Sequence, residues 1–569
     1  MKVKKNKLLL TLFIVTTLIV IVIFSQFNFI KEYYSLLKNV DQNSVNMILN
    51  SRSAFDNYYI PGQKNFDVQH YDLNFELFPE KQKIKARVKI AGNLIDGNSG
   101  DIVLNFYDNL KIDSLLVNGK LSGYSRDSKH ISIPVKSGNK NYDLSFFYEG
   151  TPKKLGFGSF MFGKFKNKSI VYTLSEPVFA STWFPCNDLP SDKAFVDMSI
   201  TNDSSYISVS NGKLMEIKTE GSKKIYHWKT LYPIATYLVS IYSAVYNHFS
   251  QKYISKSSDT MNIDYYVFPE HEKFAKIDFE INLPALKYFS GLFGEYPFIK
   301  EKYGVAEFLW SLGAIEHQTI TGIGANFLGG KKFFNDVYIH ELAHQWWGDA
   351  VTPETWKDVW LNEGFATYSE ALYFEHESGK DALVSTMLSK FGDYNRNTLY
   401  NPGKTLFGKL VYNKGAWVLH MLRRRVGDVN FFRSLRNYYR KFKYKNASTS
   451  DFQNVCEKTS KLNLSSFFNQ WVYKGKGLIR IKYKLQTDSL GLKKFVNKIF
   501  LEQVQKGYGT YVFPLDILLR NPLGKDLKTT RNINSKNTSF EIITSFKPLD
   551  VVFDPDSWLL AKFTKMANN

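Results

Sequence analysis

HELAHQWWG, residues 340–348, is the stretch on which the reading of this chain turns. Two histidines stand four positions apart, with an acid beside the first. If the segment is helical, His340 and His344 project from one face, because side chains four apart lie one above the other. Both rings can then close on one zinc ion, while Glu341 points partly aside and can reach a metal-bound water. A catalytic zinc needs a third protein ligand and an open fourth position. Glu363, in WLNEGFATYSE, is the best candidate. Eighteen residues separate it from His344, room for a helix end, a turn at Pro353 and a second helix. Glu370, two turns further, falls on nearly the same face and can orient a ligand from behind. Taken alone, Glu363 reads more simply as a solvated helix acid, and Trp346 and Trp347 as packing residues.

Outward from this stretch, the helical period extends over about residues 264–474. DVYIHELAHQWWG, LNEGFATYSEALYFEHESG and KGAWVLHMLRRRVG each predict a helix closed by glycine, the first capped by Asn335 or Asp336. Before this region the period is two. Tyr71, Leu73, Phe75 and Leu77 predict one strand face, and Ile84, Ala86, Val88 and Ile90 the next. Similar runs continue to about Tyr246. After Leu478 strands return in IRIKYKL, GTYVFPLDILL and SFEIITSF, enough for a small β-sandwich. The expected divisions are a membrane anchor at 1–30, a tether at 31–63, an all-β domain at 64–255, a mostly helical catalytic domain at 256–476 and a C-terminal β-sandwich at 477–569.

The anchor rests on Lys2, Lys4, Lys5 and Lys7, followed by an uncharged run from Leu8 to Ile30. That run spans about 35 Å as a helix, against a bilayer core of about 30 Å. A cleaved signal peptide wants small residues after the apolar run, but Phe24, Ser25, Gln26, Phe27 and Asn28 stand there. The reading is an uncleaved single-pass anchor with a cytoplasmic N-terminus and an extracytoplasmic body; the alternative is secretion after cleavage. The chain of 569 residues carries a formal charge of +21, but its lysines are scattered and no nucleic-acid motif accompanies them. A nucleic-acid partner is therefore not expected. Cys186 and Cys456 make no disulfide framework. Nothing in the sequence sets the oligomeric state.

Four motifs stand in one order: EPVFASTWFPCNDLPSDKA from Glu176, GAIEH from Gly313, HELAH followed by WLNEG, and VYNKGAWVLHMLR from Val411. Together they resemble the aminopeptidase N family of gluzincin zinc peptidases, over about residues 65–476 and more loosely beyond. The resemblance implies a multidomain α+β fold with a thermolysin-like, mostly helical catalytic domain. It implies one zinc per chain held by His340, His344 and Glu363, with Glu341 as general base acting on a zinc-activated water. Tyr412 would donate to the oxyanion. Gly313 and Ala314 would offer backbone hydrogen bonds to an extended substrate, and Glu176 and Glu316 would bind its free α-amine. That amine is largely cationic at neutral pH, and an internal peptide bond brings no such cation. The implied substrates are therefore peptides with a free N-terminus.

Two departures from the family pattern stand out. GAIEH replaces the common GxMEN, and His317 in place of Asn leaves the fine geometry and the pH profile open. Only about ninety residues follow Lys476, where larger members carry a long helical domain, so the expected cleft is more open or is closed by another subunit. Two rival readings use the same scaffold: an epoxide hydrolase, as in one branch of the family, and a non-catalytic peptide-binding protein. Such binding proteins usually lose a ligand or the base, whereas this chain keeps all five residues of the zinc and oxyanion machinery.

Overall fold

The computed structural model describes residues 62–566 apart from 96–99, 137–138 and 404–405. The Leu8–Ile30 run lies outside the described residues. Among the described residues no helix is long and apolar enough to cross a membrane.

Alternation builds the N-terminal domain. In Lys83–Leu94, Ile84, Ala86, Val88 and Ile90 are buried while the lysines between them face solvent. This strand lies antiparallel to Phe66–Phe78, which pairs on its other side in parallel with Phe195–Asp203. These are the central strands of an eight-stranded sheet, accompanied by a four-stranded and a three-stranded one. A one-residue slip would turn every apolar side chain to water, so the pattern fixes the register.

The catalytic domain opens on a five-stranded sheet. Its strands run, in spatial order, Asn247–Ile254, Thr260–Val267, Tyr303–Phe308, Thr321–Gly324 and Ala314–Ile315. The hairpin of the first two strands spans residue 255, so Asn247–Ile254 pairs with the catalytic sheet rather than with the domain before it. Tyr303–Phe308 is buried at every position, as a strand with parallel neighbours on both sides must be. Ala314–Ile315 is the edge.

Two of the three helices end at the expected glycine; the one carrying HELAH ends at His344, four residues before Gly348. Asn335–His344 carries HELAH, Trp360–Ser378 carries WLNEG, and Gly415–Val426 carries GAWVLHMLR. The latter two stop at Gly379 and Gly427, whose positive φ values of 81° and 78° suit glycine. Asn335 is the first helical residue rather than a cap, and no side chain caps that helix. Trp346 and Trp347 are buried, and Trp346 Nε1 donates to Gly294 O at 2.8 Å, which is packing as read.

The C-terminal region forms a four-stranded and a three-stranded sheet, joined by ring contacts such as Tyr483 to Phe553 at 4.8 Å. It packs on the catalytic domain through Trp558 stacked on His420 at 4.4 Å and Arg424 paired with Asp516 at 2.8 Å. Both cysteines are free and buried.

Candidate metal centre and active site

The spacing of HELAH does what helix geometry requires. His340 Nε2 and His344 Nε2 each lie 3.4 Å from Glu363 Oε2. One ligand atom from each of the three residues falls within 4.8 Å of the others. The opposite ring nitrogens are fixed from behind. His340 Nδ1 is 2.8 Å from Glu370 Oε1, and His344 Nδ1 is 3.0 Å from Trp347 O. An N–H at each Nδ1 leaves each Nε2 lone pair facing Glu363, the tautomer a metal ligand needs. Glu370 thus stands where the sequence placed it. Its second oxygen is paired with Lys390 Nζ at 2.7 Å, a contact no motif announced.

Two glycines bring the fourth motif to this centre. A Cβ on Gly364 would meet Gly415 Cα at 2.9 Å, and one on Gly415 would meet Gly364 Cα at 2.7 Å. The two helices touch backbone to backbone, which any side chain would prevent. Just before Gly415 the chain makes a wide turn over Leu410–Lys414. Tyr412 sits on it with its ring stacked 5.7 Å from that of His340. The sequence offered a signal here, since a glycine within a helical pattern often marks close packing.

Glu176 and Glu316 converge from two other elements. Glu176, Glu316 and Glu363 form a second cluster with oxygens within 4.8 Å of one another, and Glu316, Glu341 and His344 a third. All are buried. Glu316 leads from the edge strand into a turn at His317–Ile320 that is held by the residue after HELAH: Gln345 Oε1 accepts from Thr319 N at 2.9 Å. Just before the edge strand Ala314–Ile315, Gly313 O already accepts from Gly324 N at 3.1 Å. By the alternation of an antiparallel ladder, Ala314 then presents its N–H and C=O to the open side.

The electrostatics point one way. Glu176 Oε1, Glu316 Oε1 and Glu341 Oε2 are buried and have no hydrogen-bond partner. Burial first, and then the neighbouring acids, pushes Glu176 well above the usual carboxylate range and Glu341 up to about 8. Glu316 is raised by burial and by Glu363 against the pull of His344. Burial opposes ionisation of Glu363 too, but His340 and His344 outweigh it and hold its carboxyl at about 2. Burial and then Glu363, Glu176 and Glu316 raise the Tyr412 phenol, so it is a proton donor. Orphaned carboxylate oxygens packed this densely fit a site built to receive positive charge. The nitrogen–nitrogen–oxygen donor set suits zinc.

His317 is fully buried, 2.5 Å from the hydroxyl of Tyr242, and burial pushes its pKa down to about 3. It is neutral through the physiological range. Tyr242 reaches it over Gly322, where a Cβ would lie 2.3 Å from the hydroxyl oxygen.

Comparison with known proteins agrees with this geometry. Residues 67–238 match the peptidase M1 N-terminal domain and residues 279–471 the peptidase family M1 domain. Among curated relatives, the chain is 26% identical over 533 residues to aminopeptidase 2, mitochondrial, of Saccharomyces cerevisiae, covering 84% of this chain and 53% of that one. It is 32% identical over 381 residues to human glutamyl aminopeptidase, covering 62% and 38%. The chain thus spans about half the length, or less, of these relatives. Among solved structures, the M1 zinc metallopeptidase from Deinococcus radiodurans is 25% identical with a TM-score of 0.65, covering 72% of this chain and 95% of that one. Legionella pneumophila aminopeptidase A, in complex with aspartic acid, shares the fold at a TM-score of 0.78 and 18% identity, covering 89% and 60%. With both large domains matched and the four motifs in place, the chain belongs to peptidase family M1, the aminopeptidase N family.

Proposed function

We propose that this protein is a zinc-dependent aminopeptidase that hydrolyses the N-terminal peptide bond of peptides. The observation that carries the reading is the position of Glu176 and Glu316. Their orphaned oxygens adjoin the His340–His344–Glu363 cluster, so a cation bound there sits one residue's reach from the scissile bond. A substrate α-ammonium supplies that cation. An acetylated or internal amide does not, and would leave two buried acids unpaired.

His340, His344 and Glu363 would hold the zinc, which when bound polarises the scissile carbonyl and acidifies water. Ala314 aligns the substrate main chain along the open edge of the sheet. Glu176 and Glu316 hold the α-ammonium and so set which bond is cut. Glu341 takes a proton from the attacking water on its unpartnered Oε2 and returns it to the leaving amine. The phenol of Tyr412 donates to the oxygen that becomes negative as the carbonyl turns tetrahedral. Glu370, backed by Lys390, keeps His340 in its ligating tautomer.

We place the body outside the cytoplasm, on the basic flank and uncharged run of residues 2–30. Protease protection in sealed vesicles tests this placement. The activity is tested with matched peptides carrying free or N-acetylated termini, beside Glu341→Gln and a chelator. Cleavage of the free peptides alone, lost in both controls, is the expected result. Equal cleavage of both peptides would remove the role given to Glu176 and Glu316, and no cleavage by zinc-loaded protein would remove the peptidase reading.

A further inference from the structure

The C-terminal sandwich has two ends. One packs on the catalytic domain: Gln470 Nε2 donates to Val512 O at 2.8 Å, and Tyr511 lies against Trp471. The other end consists of three connections. Residues 490–494 join Ile479–Ser489 to Phe495–Gln503, residues 520–526 join Phe513–Leu519 to Leu527–Ile533, and residues 545–550 join Asn537–Thr544 to Val551–Phe553. Strand register places all three together. Phe495 pairs with both Ser489 and Thr544, and Leu519 with both Leu527 and Val551. Arg520 N donates to Asp550 O at 3.2 Å, and Leu549 N to Arg520 O at 3.0 Å, tying two of the connections directly.

Each connection holds leucine out to solvent. Leu492 is 100% exposed, Leu523 96%, Leu549 70% and Leu490 53%. A single exposed leucine needs no explanation, but four at the tips of three neighbouring loops do. The charge around them has one sign in excess. Lys493, Lys494, Lys498, Arg520, Lys525 and Lys547 stand against Asp488, Asp526, Glu541 and Asp550. Two of these acids are taken, Asp488 by Lys498 and Asp550 by Arg520. Lys493, Lys494, Lys525 and Lys547 make no ion pair among the described residues.

We propose that this end of the sandwich is a membrane-contacting tip that seats its leucines in an anionic lipid surface. Separate projecting apolar tips ringed by lysine match the boundary between acyl chains and negative headgroups. On the anchor proposed above, the uncharged Leu8–Ile30 run would supply a second attachment to the same surface, and the pair would fix how the catalytic cleft faces the bilayer. The inference stands apart from the peptidase reading and does not depend on it.

Because both native cysteines are buried, a fluorophore can be placed on the full chain at Leu492→Cys, Leu523→Cys or Leu549→Cys. Leu121→Cys, 79% exposed on the N-terminal domain, is the control. The chain is reconstituted in phosphatidylcholine vesicles with or without phosphatidylserine, each carrying a quencher on the acyl chains. A blue shift and quenching at 492, 523 and 549, but not at 121, are expected with phosphatidylserine. Lys493→Gln with Lys494→Gln should weaken that response, on the order of fivefold per lysine. Probes at the three tips behaving like the one at 121 would overturn the proposal. Equal quenching without phosphatidylserine would overturn its electrostatic half. A lipid-independent blue shift that grows with protein concentration would assign the tip to a second copy of the chain instead.

Discussion

Asp197 and the acids of the cleft are carboxylates of one protein treated in opposite ways. On the solvent face of the eight-stranded sheet, Asp197 accepts from His70 at 2.8 Å, His227 at 2.9 Å and Lys229 at 3.1 Å. Partial burial opposes its ionisation, but these three donors outweigh it and hold the group below its usual range. Glu176 and Glu316 lie deeper, each with an oxygen that meets no donor, and both are raised. Folding has therefore completed the charge balance of the outer acid from within the chain. It has left the inner acids without internal partners, to be completed on the proposed reading by a metal and by a substrate amine. A buried unpaired carboxylate is destabilising, so such a cluster reads as function kept at a cost in stability.

Breaking that contrast should have graded effects. The largest is expected for Glu341→Gln, which keeps the shape of the inner cluster and removes its base. Its kcat should fall on the order of 10³-fold or more while bound zinc, read by elemental analysis, is retained. Tyr412→Phe comes next, with kcat down on the order of 10²-fold and KM little changed, since its donor acts as the oxyanion forms. Glu316→Gln should lower kcat/KM for free peptides by roughly 10²-fold and erase the preference over acetylated ones. In metal-stripped protein the same change should raise Tm, because it removes an uncompensated buried acid; a lower Tm would mean the acid is structurally satisfied after all.

A finer test concerns His317, a buried inner group that stays neutral. Its folded pKa of about 3 lies below the ordinary 6.5. The unfolded chain therefore binds the extra proton first as pH falls. The stability that depends on neutral His317 is complete above about pH 6.5 and declines from there toward pH 3. His317→Asn should lose less stability than the parent over that window, by about 2 kcal/mol at pH 5 in denaturant titrations. The activity profile should not shift between pH 6 and 9. A displaced profile would show that the imidazole titrates. The smallest effect is expected for Asp197→Asn. Its partners are more than one-third exposed, so the loss should be about 1 kcal/mol of stability with activity unchanged.

Several parts of this molecule were legible as local pattern. Period two gave the strands through Leu77 and Ile90. Period 3.6 gave three helices and two of their glycine stops, and an i, i+4 pair gave two of the metal-binding positions. These are short-range properties, set by how successive side chains leave one backbone. Glu363 was reachable by spacing but not decided by it, since a helix acid at that distance is ordinary. Glu176 and Glu316 had no local signal at all, Tyr412 had only the nearby Gly415, and all three came through resemblance. Each lies at least 24 residues from His340 along the chain and meets it through a separate element.

The tertiary structure alone decided the rest. The touching backbones at Gly364 and Gly415 set Tyr412 against His340. Lys390, an ordinary lysine after a short helix, closes on Glu370. The register of six strands gathers four leucines and their lysines at one tip. The physical reason is the same in each case. Such contacts depend on where distant elements dock, which is fixed by the packing of whole faces, whereas the sequence by itself determined only what each element presents to be packed.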